Sequence, residues 1–105
     1  MGRIVIVVYR PKQGKELELL KLVGEHVSIL RAEGLVTDRK PIIMRAEDRC
    51  VVEVFEWKSA EAIKLAHANE SVGKLWARFA ELCDYEAPTN VKEFQTLFSE
   101  FESID

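Results

Sequence analysis

The stretch Arg3 to Arg10 (Arg-Ile-Val-Ile-Val-Val-Tyr-Arg) constrains the fold more than any other. Its β-branched and aromatic residues favour a strand, and period-two alternation sends Val5, Val7 and Tyr9 to one face and Ile4, Ile6 and Val8 to the other. Both sets are apolar, so this strand belongs in the middle of a sheet that is covered on two sides. A chain of 105 residues holds one domain, 1–105, with a modest core. Covering both faces from so short a chain is difficult, and a second copy would supply what is missing.

The rest of the chain alternates helix and strand signals. Pro11 and Gly14 end the first strand, and from Lys15 the residues Leu17, Leu20, Val23, Gly24, Val27, Ile29 and Leu30 give a broad apolar helix face, stopped by Gly34 as its C′ residue. Pro41 keeps the next segment from starting as a central strand, but Ile42–Arg45 is able to pair as an edge or bulged strand. Glu47-Asp48-Arg49 forms a polar turn before Cys50–Trp57, a second firm strand joined to its predecessor as a hairpin. Ser59 is placed to cap a helix that carries Ile63, Ala66, His67, Leu75, Trp76, Phe79, Leu82 and Cys83 on one face, with a bend or fresh cap at Asn69–Ser71. After Ala87 a short helical turn near Val91–Gln95 and a strand within Leu97–Ile104 are expected. The order β-α-β-β-α-β predicts an α+β, ferredoxin-like fold with a four-stranded antiparallel sheet and helices on one face. The other face of strand one would then be wet in a monomer, which predicts a homodimer with two sheets face to face.

Composition removes several classes. The 15 basic and 18 acidic residues leave a net charge of −3, with no footprint for nucleic acid or an anionic membrane. The run Ile4–Tyr9 is too short to span a bilayer, and no leader is apparent. Two cysteines, Cys50 and Cys83, lack metal-ligand spacing and read as small buried hydrophobes, which suits a reducing, cytoplasmic setting. There is no Gly-rich phosphate loop, Gly-x-Ser-x-Gly elbow, His-Glu-x-x-His or Cys-x-x-Cys, and His26 and His67 have no carboxylate cluster to share a metal. No cofactor and no metal are expected.

The stretch Val54-Phe55-Glu56-Trp57-Lys58-Ser59-Ala60-Glu61-Ala62, followed by Ala66-His67, Leu75-Trp76 and Phe79, resembles the third strand and second helix of antibiotic-biosynthesis-monooxygenase-like proteins, a family of the dimeric α+β barrel superfamily. The resemblance implies that fold, a homodimer, and a cleft between sheet and helices for a small apolar or aromatic ligand. It implies a cofactor-independent oxygenase acting on an aromatic or enolic metabolite, with Tyr9, Trp57, His67 and Trp76 lining the cleft and Phe79 beside them. The alternative is a non-catalytic dimeric protein, stress-responsive or ligand-binding. The haem-degrading branch carries an Asn on its first strand, whereas this strand has none, and Trp76 and His67 stand in reverse order along the helix, so haem is not carried over.

Each candidate has a plainer reading beside it. His67 shares a face with Ile63 and Trp76; it is either an ordinary packed or solvent-edge histidine or the group that orients or deprotonates a phenolic or enolic substrate. Tyr9 could donate to a ligand oxygen or merely pack. Trp57 and Trp76 serve equally as core and as ligand platform. His26, at the border of the first helix's stripe, reads as a partly buried packing residue. Glu53 and Glu56 must face opposite sides of their strand, so they cannot act as a carboxylate pair; the inward one is expected in an ion pair with Arg3, Arg10 or Arg45.

Overall fold

The computed structural model describes residues 1–104. Strand β1 (Arg3–Pro11) is followed by α1 (Glu16–Ala32), the hairpin β2 (Ile42–Arg45) and β3 (Val51–Trp57), two consecutive helices α2 (Ala60–Ala68) and α3 (Glu70–Leu82), β4 (Cys83–Glu86) and a short β5 (Glu102–Ser103). These strands form one antiparallel sheet in the order β4-β1-β3-β2-β5. As its two-sided apolar character demands, β1 is an inner strand, flanked by β3 and β4.

Local chemistry sets the boundaries. Gly34 adopts φ +73°, its N–H donates to Arg31 O at 2.9 Å, and the Leu35 N–H donates to Leu30 O at 3.1 Å. That left-handed C-terminal closure needs a residue without a Cβ penalty. Ser59 Oγ accepts from the Ala62 N–H at 3.1 Å and opens α2. Asn69 closes α2, and its Oδ1 accepts from the Val72 N–H at 3.0 Å to open α3, so the bend expected there is a true re-initiation.

Two expectations are corrected. The sheet has five strands where four were predicted, and the fourth strand in the chain is not the tail. It is Cys83–Glu86, which leaves α3 without a loop and pairs with β1, Tyr9 opposite Tyr85. The tail makes 3-10 turns at Pro88–Asn90 and Lys92–Gln95, then crosses to the far edge, where Glu102–Ser103 pairs with β2. Val91, Phe94 and Phe101 of the tail cover the sheet, while Leu97 and Phe98 stay exposed. Val91 is fully buried with Val8, Ala46, Cys50 and Val52, and Phe94 and Phe101 pack against that group.

The pairing register sorts the sheet into two faces. Val5, Val7 and Tyr9 lie opposite Phe55, Glu53 and Val51, and this side packs beneath the helices. On the other side the tail shields Val8 and Val52, while Ile4 (58% exposed), Ile6 (49%) and Ile42 (58%) remain open. Among the described residues no helix is long and apolar enough to cross a membrane.

Candidate functional site

Beneath the helices the core divides into two clusters. One gathers Tyr9, Leu19, Leu22, Val23, Val51, Leu75 and Phe79 around the start of α1 and the end of α3; the other gathers Val27, Leu30, Phe55, Trp57, Ala62, Ala66 and Val72. Val7 and Trp76 touch both. Between the clusters lies a cavity of about 390 Å3, walled by Val5, Val7, Tyr9, His26, Phe55, Trp57, His67, Trp76 and Tyr85. This volume suits a small organic molecule, whose sites run from about 300 to 1,000 Å3. Among the described residues no lysine or arginine stands in the wall, so nothing there favours a carboxylate or phosphate ester.

Behind one wall of the cavity lies a buried polar group. Alternation along β3 turns Glu53 inward with Val51, Phe55 and Trp57, and its side chain is completely buried. Helical spacing puts His26 on the stripe Leu19, Leu22, Val23, Val27, Leu30, where it is 3% exposed. Glu53 Oε1 lies 2.7 Å from the Tyr9 hydroxyl and 2.8 Å from His26 Nδ1. A carboxylate only accepts, so the Tyr9 hydroxyl and the Nδ1–H both donate to that oxygen. The remaining polar atoms of the pair, His26 Nε2 and Glu53 Oε2, are buried without a hydrogen-bond partner among the described residues.

Burial pushes the Tyr9 hydroxyl far above the usual tyrosine value, and the charge and hydrogen bond of Glu53 push it further. Tyr9 therefore stays protonated and acts as a fixed donor to Glu53. Its ring stacks on Phe79, centroids 5.0 Å apart and planes 14° from parallel, while His26 meets Phe79 and Phe55 edge-on at 5.1 and 5.3 Å. These rings leave the imidazole little freedom to turn. At the mouth, Tyr85 is 55% exposed, with its hydroxyl pushed up to about 12 by burial of part of the ring and by Cys83 and Glu53.

The predicted site residues separate accordingly. Tyr9, Trp57, His67 and Trp76 share the cavity wall. Phe79 does not line it; it is fully buried and stacks on the Tyr9 ring. His67 is exposed at the rim, edge-on to Trp76 with centroids 5.1 Å apart. The Tyr9 hydroxyl is turned to Glu53, so the tyrosine contributes mainly its ring to the cavity.

The expected arginine partner of Glu53 is replaced by His26 and Tyr9. It is Glu56, on the opposite face, that pairs with an arginine, Arg39, at 3.1 Å. His26, which reads from sequence as a partly buried packing residue, is a central member of the site. A signal for it exists in the spacing: it stands three residues after Val23 and four before Leu30 on the buried stripe. Among the described residues no group of His, Cys, Asp or Glu has the makings of a metal site. Comparison with family models, with curated proteins and with solved structures gives no match.

Proposed function

We propose that this protein binds a small aromatic or enolic molecule between its sheet and helices, and that it belongs to the cofactor-independent oxygenases of the dimeric α+β barrel kind. The observation that carries the reading is an apolar cavity of about 390 Å3 lined in part by His26, whose Nε2 is buried without a hydrogen-bond partner among the described residues. Such a cavity grips a flat ring between Phe55, Trp57 and Trp76 and meets a ligand oxygen with the few polar groups of its wall, among them His26, His67 and Tyr85. The strand order β4-β1-β3-β2 with helices on one face supports a ferredoxin-like core, to which β5 adds two residues at the β2 edge.

In the reaction, an acidic methylene between aromatic rings loses a proton, and the resulting carbanion reduces dioxygen. In sum, CH2 and O2 become C=O and water, so the substrate itself is the reductant. A water-poor pocket stabilises the delocalised anion on the way. The test is oxygen uptake with anthrone as substrate. Uptake that depends on the protein and falls in His67→Ala or His26→Gln supports the oxygenase.

The second reading, a binder without turnover, has its own support: the Tyr9 hydroxyl and the His26 Nδ1 are already engaged by Glu53. Quenching of tryptophan fluorescence by anthrone without oxygen uptake would decide for it. We further propose a homodimer through the strip Ile4, Ile6, Val54 and Ile42, which runs across β1, β3 and β2 on the face that the tail leaves open. A twofold contact of this strip with its own copy removes the apolar surface from water.

A further inference from the structure

Two residues of the cavity wall, Tyr9 and His26, meet a buried carboxylate behind it, and the arrangement is more specific than binding requires. Glu53 is a fully buried carboxylate held by two donors on the same oxygen, neither of them a lysine or arginine. Burying such a charge is costly unless the donors are fixed, and here the donors come from different elements, Tyr9 on β1 and His26 on α1. The consequence falls on the imidazole. With Nδ1 carrying the proton it gives to Glu53, Nε2 has the free lone pair, and it sits on the opposite side of the ring from the carboxylate. His26 lines the cavity, Glu53 does not, and Nε2 has no protein partner among the described residues.

Resting on the reading of the cavity as a site for an aromatic or enolic molecule, we propose that His26 Nε2 takes the acidic proton of the bound molecule, and that Glu53 and Tyr9 are positioning residues that hold His26 for this role. The O–H or C–H bond of the ligand breaks, its electron pair remains on the ligand, and the proton goes to Nε2. The imidazolium so formed lies between the new anion and the Glu53 carboxylate, which already accepts its Nδ1–H. No oxidant is needed for this step. Tyr9 keeps its own proton, through which it hydrogen-bonds to Glu53 at 2.7 Å, and its hydroxyl oxygen lies 3.4 Å from His26 Nδ1. Phe79 and Phe55, edge-on to the imidazole, hold its plane.

The probe is 4-nitrophenol, used with the full chain at a pH below the phenol's own pKa. Occupancy is read from fluorescence quenching, because both tryptophans of the chain, Trp57 and Trp76, line the cavity. Ionisation is read separately from the yellow phenolate band. In the wild-type protein the ratio of phenolate to phenol should be about tenfold higher for bound than for free probe, the effect of one strong interaction with the charged form. Glu53→Gln and His26→Gln should still quench but lose that rise, and Tyr9→Phe should lose part of it.

A purely structural trio would lower the stability of all three variants and leave the bound probe neutral in the wild type. That neutral spectrum, with quenching intact, overturns the proton-accepting role and leaves the cavity reading standing. Phenolate formation that persists in His26→Gln overturns it too. Absence of quenching in the wild type overturns the cavity reading, and this inference with it. Should a variant fail to fold, a neutral wild-type spectrum with quenching still overturns the role.

Discussion

At the scale of single residues, the decisive arrangement is a buried acid whose two donors are a histidine and a tyrosine. Removing His26 leaves the buried Glu53 with only the Tyr9 hydroxyl as donor, and His26→Ala should cost about 3–5 kcal/mol, the usual effect of orphaning one member of a buried pair. Replacing both, as His26→Leu with Glu53→Leu, should recover most of that loss. Urea unfolding of the two single variants and the double variant reads the coupling directly; single effects that simply add would show that the residues do not act as a unit. The inward position of Glu53 is legible in the sequence, because alternation along Cys50–Trp57 admits no other choice. The place of His26 is harder to read, because the apolar residues of the first helix outline too wide a stripe. Leu17 falls within that outline but is 82% exposed, and the true stripe, Leu19-Leu22-Val23-His26-Val27-Leu30, has the histidine at its centre. An imidazole on such a stripe calls for a buried acceptor across the core, a pairing that only the three-dimensional register reveals.

At the scale of elements, the boundaries follow from caps and breakers, and these carry predictions. Asn69→Ala removes the acceptor for the Val72 N–H and the side-chain bond to Glu33, at 3.0 and 2.9 Å. A loss of about 0.5–2 kcal/mol is expected, read as a lower Tm by thermal denaturation; an unchanged Tm would mean that α3 starts without its cap. Ion pairs tie the outer segments to the sheet. The hydrogen bonds from Arg39 and Thr37 hold the Glu56 carboxyl below its ordinary value, and those from Arg10 and Asn90 do the same for Glu86. A carboxyl held low in the folded state adds stability above its unfolded pKa, and that stability is lost as pH falls through the folded value. Arg10→Gln and Arg39→Gln should therefore begin acid unfolding at higher pH than the wild type, as followed by circular dichroism; an unmoved acid transition would remove these pairs from the account. The element that sequence cannot place is β4. Cys83–Glu86 is four residues long and continues directly from α3, so neither a turn signal nor a clear alternation marks it, whereas the tail that reads as a strand pairs at Glu102–Ser103 and packs Phe94 and Phe101 over Val8 and Val52. Ser59, Gly34 and the break at Asn69 are legible because each requires a particular residue chemistry at one position.

At the scale of the whole molecule, a thin sheet divides the protein into a helix-covered side with a cavity and a side that its tail covers only in part. The two-sided apolar character of β1 makes this division readable from the sequence, but the role of the tail is not, since helical spacing in Phe94, Leu97, Phe98 and Phe101 says nothing about which surface they meet. If the open strip is a contact between copies, sedimentation should give twice the 12.0 kDa chain mass, and Ile6→Glu should return the protein to a folded monomer. A wild-type protein that stays monomeric at high concentration would end that proposal without touching the cavity. For the cavity, the most direct measurement is histidine-nitrogen NMR during titration with 2-naphthol, since the chain has only two histidines. His26 Nε2 should move from a lone-pair-bearing to a protonated or strongly hydrogen-bonded signal as tryptophan fluorescence is quenched, with Nδ1 still bound to Glu53. A His26 spectrum unchanged at full quenching would contradict the proton-accepting role.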